Sequence, residues 1–464
     1  KTVVAGVGGF QMSADGKKLL INQGGWRIIN AAAGGGGSTT VPANNMMVRI
    51  DPRDEWNQIF SDTWRFFRDY FYVENLHNVD WEAMRKHYGA MVADAATRED
   101  VGWIQAELVS ELNVGHAYIQ GLGDVEGQPS MPVGLLGVDY ELVSENGNEA
   151  YRIARIHRGA DWDLDAVGPL SQPGVNVKEG DFLLAVNGVP VDTSKDPFAA
   201  FLGTAGRATT ITVGPAPVWD SRARDVVVTP ISSEVDLRYR GWIERNRAHV
   251  HEKSGGTIGY IYVPNTGVDG QSDLMRQFIG QRHMPALIID ERWNGGGQIP
   301  TRFIELLNRP RTNYWARRHG KDWAWPPDSH QGPKAMLING LAGSGGDAFP
   351  HYFRQAGLGK LIGTRTWGGL VGISGNPPLV DGGSIAVPRF GFYDNDGTWG
   401  IEGHGVDPDI EVIDDPALMT GGRDPQLDKA IEVLTAELKT NAYTPPRRPA
   451  DPDRRGMGIA PEDK

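Results

Sequence analysis

Four short apolar runs in the second half of the sequence, separated by helix-length segments, place the strongest constraint on the fold. The runs occupy residues 258–263, 286–290, 335–339 and 361–363. Strands that alternate with helices are typical of a parallel sheet with helices on its faces. The pattern therefore predicts an α/β domain over residues 232–440, which ends in an amphipathic helix at 424–438.

The beginning of the sequence has a different pattern. Asp15-Gly16 lies between two apolar runs and predicts a β-hairpin. Because a single hairpin cannot bury its own face, we interpret residues 1–37 as the end of a β-propeller that begins in a longer protein. The glycine-rich stretch that follows predicts a flexible linker at 38–50.

Residues 51–129 are predicted to form a helical bundle, because large apolar side chains recur there at three- and four-residue steps. These side chains belong to Trp56, Ile59, Phe60, Trp64, Phe67 and Tyr70. Residues 130–231 show short alternating strands instead, which predict a small β-domain. The Pro- and Arg-rich residues 441–464 predict a disordered tail. The expected fold class is thus multidomain α+β.

Composition restricts the partners and the chemistry. The 46 Lys and Arg residues against 58 Asp and Glu residues give a formal net charge of −12, which repels nucleic acid. No apolar stretch reaches the roughly 20 residues that a membrane helix needs, so a membrane is not an expected partner either. The absence of cysteine excludes disulfides, thiolate zinc sites and a cysteine nucleophile. No motif predicts a metal or an organic cofactor.

A serine in a glycine-rich turn is the first candidate for catalysis. Gly343-Ser344-Gly345-Gly346-Asp347 directly follows an apolar run and opens a predicted helix. At such a strand-to-helix turn the hydroxyl projects outward, and the free amides of the helix N-terminus can stabilise an oxyanion. The alternative is that Ser344 is an ordinary helix N-cap, a position that serine often fills.

A second glycine-rich motif, Asp290-Glu-Arg-Trp-Asn-Gly-Gly-Gly297, also follows a buried-looking run. A backbone amide from its glycine end, paired with that of Gly345, would form an oxyanion hole. The alternative is a plain glycine loop that binds nothing.

Together these motifs resemble the catalytic core of the tail-specific, or C-terminal-processing, peptidases. The fuller set is similar to the tricorn protease family over about residues 45–440. It adds Glu111-Leu-Asn-Val-Gly-His-Ala-Tyr118, a PDZ-like stretch at 177–191 and Ile401-Glu-Gly-His-Gly-Val-Asp-Pro-Asp409. The resemblance implies a crotonase- or ClpP-like α/β core at 232–440 and a PDZ-like domain at 130–231.

In PDZ domains a peptide adds a strand to an open sheet edge, and loop amides receive its terminal carboxylate. The resemblance assigns that loop to Leu136, Gly137 and Val138. The alternative is a generic small β-domain.

The same resemblance implies the remaining site residues. His116, in the helical domain, would be the general base for Ser344, Glu402 would support His116, and the amides of Gly297 and Gly345 would hold the oxyanion. A serine–lysine dyad, as in the tail-specific peptidases, is not available, because glycine occupies the lysine position within residues 366–370.

One departure from the family concerns the residue before the histidine. The family has a serine there that links histidine to glutamate, and this chain has Gly115. We therefore expect Glu402 to reach His116 directly, through water or through another hydroxyl. The alternative is that Glu402 is an ordinary surface residue near a glycine-rich turn.

The resulting hypothesis is a serine peptidase that hydrolyses short oligopeptides through an acyl-enzyme. The resemblance further implies a homo-hexamer, and we expect a cytoplasmic location. One alternative is a catalytically impaired, PDZ-containing peptide-binding protein on a peptidase scaffold. Another is hydrolytic or crotonase-like chemistry on acyl thioesters, against which the PDZ-like insertion argues.

Overall fold

The computed structural model describes residues 1–43, 46–123, 125, 127–160, 162–163, 166–455, 458 and 462.

The N-terminal residues form a four-stranded antiparallel sheet. The strands, in spatial order, are β1 (Phe10–Met12), β2 (Lys18–Asn22), β3 (Trp26–Asn30) and β4 (Thr39–Thr40). The predicted hairpin is confirmed, since β1 pairs with β2 across Asp15-Gly16. Its core is small, with Leu19, Ile21 and Ile29 buried. The predicted linker at 38–50 includes residues 44–45, which lie outside the described residues.

Three helices follow, as the periodicity predicts. They are α1 (Pro52–Tyr70), α2 (Trp81–Val92) and α3 (Arg98–Ser110), and a short strand, β5 (Tyr118–Gln120), comes after them. Ile59, Phe60 and Phe67 are buried between the helices. Thr97 and Asp100 form a capping box at the start of α3, which satisfies backbone amides that a helix end leaves free.

The next domain is an antiparallel β-sheet. Its strands are β6 (Val138–Glu145), β7 (Asn148–Ile156), β8 (Phe182–Val186), β9 (Val189–Pro190), β10 (Thr209–Gly214) and β11 (Arg224–Val228). The order across the sheet is β11-β10-β8-β7-β6, with β9 paired to β8. β6 is therefore an edge strand.

The last domain is built on a parallel sheet. Its helices are α4 (Val235–Lys253), α5 (Val268–Gln281), α6 (Pro300–Leu307), α7 (Gly345–Gln355), α8 (Pro416–Thr420) and α9 (Pro425–Asn441). Its strands are β12 (Ile258–Tyr262), β13 (Ala286–Asp290), β14 (Asn313–Trp315), β15 (Trp323–Trp325), β16 (Lys334–Ile338), β17 (Gly359–Gly363), β18 (Gly372–Ile373), β19 (Ser384–Ala386), β20 (Pro388–Phe390) and β21 (Ile410–Glu411).

All four predicted apolar runs lie in this sheet, whose order is β12-β13-β16-β17-β21. α5, α6 and α7 cover one face, and α4 and α9 cover the other. Because both faces are covered, the strands read as continuous apolar runs in the sequence. β16, which leads to Ser344, is the central strand.

The helical domain is held against the last domain by polar and apolar contacts. β5 pairs with β19 in antiparallel register. Arg98 of α3 donates to Asp381 over 2.7 Å, and both side chains are buried. Leu379 and Ile385 join the core of the helical bundle. This packing fixes the chain between α3 and β5, which carries His116, relative to the parallel sheet.

The C-terminal tail touches the β14–β15 hairpin. The Tyr443 and Tyr314 hydroxyls are 2.7 Å apart, and Arg448 donates to the Arg317 carbonyl over 2.9 Å. Of the tail predicted to be disordered, residues 456–457, 459–461 and 463–464 lie outside the described residues. None of the helices in the described ranges is long and apolar enough to cross a membrane.

Candidate active site

The backbone of Ser344 is strained. The residue joins β16 to α7 with φ 58° and ψ −116°. An ordinary N-cap residue has an extended backbone instead. Non-glycine residues in such sparsely populated conformations cluster at functional sites, and a serine on a strained strand-to-helix turn is the arrangement that exposes a nucleophile. Ser344 does stand at the N-cap position of α7, but its strained backbone argues against the interpretation that it is only an ordinary N-cap.

Asp347, three residues after Ser344, fixes this turn from inside the protein. Its carboxylate accepts hydrogen bonds from the Ser344 amide (2.8 Å), the Thr366 hydroxyl (2.5 Å) and the amides of Gly368 (2.8 Å) and Gly369 (3.2 Å). Burial raises the pKa of this carboxyl above its usual range, against the effect of the hydrogen bonds. One buried carboxylate thus ties the serine turn to segment 366–369.

His116 is half-buried, has φ 57° and lies against segment 366–369. Its ring packs edge-on against Trp367, with centroids 5.8 Å apart, and against Tyr118 at 6.0 Å. Burial lowers the pKa of the imidazole below its usual range, and the negative charge of Glu402 opposes that shift. A histidine held largely neutral can accept a proton.

Glu402 is bound by backbone amides. Its Oε1 accepts from the Gly115 amide over 2.8 Å, and its Oε2 accepts from the amides of Leu370 (2.6 Å) and Val371 (2.8 Å). Within the described ranges neither oxygen hydrogen-bonds to the His116 ring, whose buried Nδ1 has no hydrogen-bonding partner there. Of the expected contacts with His116, neither a direct one nor one through a hydroxyl is present among the described residues, and Glu402 binds the backbone next to His116 instead.

The glycine at position 115 fits this contact sterically. A Cβ added to Gly115 would lie 2.9 Å from the Gly369 Cα and 3.0 Å from Glu402 Oε1. A side chain here would push apart the segments that Glu402 joins. The Gly115 amide thus supplies the hydrogen bond to glutamate that the family obtains from a serine.

Gly297 and Gly345 are adjacent in space. A Cβ on Gly345 would lie 2.7 Å from the Gly297 nitrogen and 2.0 Å from the Thr266 hydroxyl. The segments that contain Gly297 and Gly345 therefore approach each other more closely than a side chain on Gly345 would allow. Among the described residues neither glycine amide is used in a hydrogen bond to another backbone group. Both glycines line one cavity of about 540 Å³ together with Ser344 and His116.

The two ends of the 290–297 motif have different surroundings. Arg292 is fully buried and pairs with Asp290 (2.6 Å) and with Asp424 at the start of α9 (2.8 Å). This charged end holds the last helix on the sheet. Only the glycine end reaches the cavity.

The predicted peptide-binding loop is in contact with another part of the chain. Leu136 and Val138 are each 1% exposed. The Gly137 amide donates to Glu234 Oε1 over 2.7 Å, and Arg238 donates to the Val138 carbonyl over 3.0 Å. The carboxylate of Glu234, just before α4, therefore binds the loop that was predicted to receive a peptide terminus.

Sequence reasoning assigned no role to two of these supporting residues, Asp347 and Glu234. Asp347 carried a signal, since an acidic residue three positions after a serine is typical of a capping box. Glu234 carried none, because it contacts a glycine 97 residues away. Among the described residues no group of His, Asp and Glu side chains is arranged to hold a metal.

Comparisons with known proteins give three matching family models. Residues 257–412 match peptidase family S41, residues 134–233 match the tricorn protease PDZ domain, and residues 52–109 match the tricorn protease C1 domain.

Full-chain comparisons agree with these matches. Tricorn protease homolog 1 of Streptomyces coelicolor is 35% identical over 448 residues, covering 95% of this chain and 41% of that protein. The tricorn protease of Thermoplasma acidophilum is 31% identical over 448 residues, covering 95% and 40%. The chain thus spans about 40% of the length of these relatives.

The same similarity holds in three dimensions. A crystal structure of the tricorn protease superposes with a TM-score of 0.87 at 30% identity, covering 94% of this chain and 42% of that one. The chain therefore belongs to the tricorn protease family.

Proposed function

We propose that this chain is a serine peptidase that hydrolyses peptide bonds through an acyl-enzyme. The observation that carries the proposal is that Ser344 and His116, from different domains, line one cavity together with Gly297 and Gly345. Nucleophile, base and oxyanion donors are the parts that acyl transfer requires.

The proposed reaction has two halves. The Ser344 hydroxyl attacks the substrate carbonyl while His116 accepts its proton, and the amides of Gly297 and Gly345 stabilise the oxyanion. His116 then gives the proton to the leaving amine, and the C–N bond breaks. A water molecule, deprotonated by His116, attacks the ester, and the proton returns to Ser344 as the acid product leaves. Glu402 acts through the Gly115 backbone to position His116.

The wider organisation is also a proposal. A sheet of four antiparallel strands at 10–40 has the strand number of a propeller blade, which supports its assignment to a β-propeller. The parallel sheet with helices on both faces supports the crotonase- or ClpP-like assignment of 232–440. Short oligopeptide substrates, a homo-hexamer and a cytoplasmic location are proposed from the family alone.

A fluorophosphonate probe tests the assignment directly, because it reacts with an activated serine. We expect the probe to label Ser344, located by mass spectrometry, and the purified protein to cleave a peptide library. The Ser344→Ala variant should lose labelling and at least about 10⁴-fold in kcat/KM while keeping its fold. Ser272→Ala, an exposed serine on α5, serves as the control and should keep both.

Other outcomes distinguish the alternatives. Peptide binding without labelling or turnover would favour an impaired peptide-binding protein. Turnover of acyl thioesters by a protein that leaves peptides intact would favour thioester chemistry. Labelling and turnover that persist in a folded Ser344→Ala variant would contradict the role of Ser344.

A further inference from the structure

The cavity beside Ser344 has apolar walls. Side chains from four segments form these walls: Pro300, Ala348, Leu370, Val371, Phe390 and Phe392. Apart from His116, none of its lining side chains among the described residues carries a formal charge at neutral pH. The polar groups at the remaining positions include the Gln298 amide and the Tyr352 hydroxyl, both of which are neutral. The cavity therefore offers burial without a charged partner.

One wall of the cavity is the aromatic ring of Phe390, which stays accessible to solvent. Gly372 of β18 faces Phe390 of β20 in the strand register. A Cβ on Gly372 would lie 1.7 Å from Phe390 Cε2, so the ring lies directly over the glycine backbone. Phe390 is nevertheless 58% exposed. A large exposed apolar side chain at the rim of a cavity is suited to cover a bound apolar group.

Two acidic groups next to the lining residues, Glu402 and Asp394, are already engaged. Glu402 accepts hydrogen bonds from the Leu370 and Val371 amides. Asp394 Oδ1 lies 2.9 Å from His351 Nε2, and the Gln355 amide donates to the same oxygen over 3.3 Å. His351 in turn packs edge-on against Phe392, with centroids 5.6 Å apart. Phe392 lines the cavity, whereas Asp394 does not. No Asp or Glu side chain among the described residues lines the cavity, so a basic side chain that entered it would meet no carboxylate in its walls.

The position of the cavity indicates which substrate residue it receives. Ser344 and the amides of Gly297 and Gly345 would contact the scissile carbonyl, and all three residues border the cavity. The side chain closest to that carbonyl belongs to the residue that contributes it, on the acyl side of the bond. A volume of about 540 Å³ accommodates a phenylalanine or leucine side chain.

We propose that this cavity is the specificity pocket and that it selects substrates with a large apolar side chain on the acyl side of the scissile bond, with Phe390 as a determinant. The proposal rests on the proposed peptidase function. Burying a Phe or Leu side chain contributes about 1.5–3 kcal/mol, whereas a charged side chain would lose its hydration without gaining a partner. A difference of this size corresponds to roughly ten- to a hundredfold in kcat/KM.

The test uses fluorogenic peptides with identical flanks, succinyl-Ala-Ala-Xaa-aminomethylcoumarin, where Xaa is Phe, Leu, Arg or Glu. We expect kcat/KM for Phe and Leu to exceed that for Arg and Glu by at least about tenfold. Phe390→Asp adds a carboxylate to the wall and should lower the Phe-to-Arg ratio at least about tenfold, by weakening apolar contact and attracting the guanidinium. Phe10→Asp, which changes a Phe that is 67% exposed on β1, should leave the ratio unchanged.

The outcomes separate this proposal from the function on which it rests. If the protein reacts with the fluorophosphonate probe at Ser344 but cleaves the Arg or Glu peptide as well as the Phe peptide, the pocket proposal is overturned and the peptidase remains. An unchanged ratio in Phe390→Asp removes Phe390 as a determinant. If the probe does not react and no peptide is cleaved, the peptidase function itself fails, and the pocket proposal fails with it.

Discussion

At the scale of single residues, Glu402 shows how a carboxylate can support a histidine without touching it. Its two oxygens accept hydrogen bonds from three backbone amides, one of which belongs to Gly115, the residue before His116. The same carboxylate is the negative charge that opposes the burial-induced lowering of the His116 pKa. Glu402 therefore acts on the position of His116 through the backbone and on its protonation through space.

A change of Glu402 to Gln should have both effects. The neutral amide has only one acceptor oxygen for three amide donors, so the backbone around His116 loosens. We expect kcat/KM to fall about ten- to a hundredfold, less than the roughly 10⁴-fold loss when a directly bonded triad carboxylate is neutralised. His116→Ala should lose far more.

The pH profile separates these two effects. The base must be neutral, so activity rises as pH increases through the pKa of His116. Without the Glu402 charge this pKa falls further, and the acidic limb of kcat/KM should move to lower pH. Glu411→Gln, at an exposed strand end, is the control. An acidic limb that stays in place in Glu402→Gln, or parental kinetics, would contradict the assigned role.

At the scale of secondary structure elements, the start of α4 binds the loop before β6 and the first residues of that strand. Glu234, just before α4, binds the Gly137 amide, and Arg238, one turn later, binds both Glu234 (2.5 Å) and the Val138 carbonyl. A side-chain carboxylate therefore stands in the loop that was predicted to receive a peptide terminus. If the loop does bind peptides, a peptide must first displace Glu234.

Removal of this carboxylate should expose the loop. We expect Glu234→Ala to bind peptides that end in a free carboxylate at least about tenfold more tightly than the parent, because the Gly137 amide loses its internal acceptor and Arg238 keeps only Asp139 as a carboxylate partner. Peptides that end in a carboxamide should bind no better. Titration by fluorescence anisotropy measures both.

The variant Glu252→Ala, at the exposed far end of α4, is the matched control for helix changes. Equal and weak binding of both peptide types by the parent and by Glu234→Ala would show that the loop does not receive peptide termini. The domain would then serve as a spacer between His116 and Ser344.

Elements differ in how far the sequence predicts them. Four of the five strands of the parallel sheet were predictable, because burial on both faces leaves mainly apolar residues in them. β14, β15 and β18 were not, because they are two- and three-residue strands whose existence depends on their partners. Ser344 and Gly297 were indicated by local glycine patterns. The amide contacts of Glu402 were not, because they join segments 31, 32 and 287 residues away.

At the scale of the whole molecule, the candidate site exists only while the helical domain is docked. His116 follows α3, whereas Ser344 follows β16, and neither domain holds both. The docking contacts are the β5–β19 pair and the buried Arg98–Asp381 ion pair. Breaking a buried pair by removing one partner leaves an uncompensated charge, which typically costs about 3–5 kcal/mol.

We therefore expect Arg98→Met to lower both stability and kcat/KM, because Asp381 loses its partner and His116 its fixed position. Arg65→Met breaks a surface pair with Asp62 instead and should change stability by no more than about 1 kcal/mol. Fluorophosphonate labelling rates, compared with thermal unfolding, distinguish a displaced base from an unfolded protein. An Arg98→Met protein with parental stability and labelling rate would show that docking does not depend on this pair.

The dependence of this contact on pH follows from the state of Asp381. Burial disfavours its ionised form, but the hydrogen bond and charge of Arg98, together with the hydrogen bonds from the Gly383 and Gly123 amides, outweigh burial and hold the pKa of Asp381 below its usual range. A carboxyl whose pKa is depressed in the folded state contributes stability that is fully present above its unfolded pKa of about 4. That contribution is lost as pH falls through the lower, folded pKa.

The difference in thermal unfolding temperature between the parent and Arg98→Met should thus be constant near neutrality and shrink in acid. A difference that grows in acid would mean that the Arg98 charge, rather than its pairing with ionised Asp381, sets the stability of the docked state.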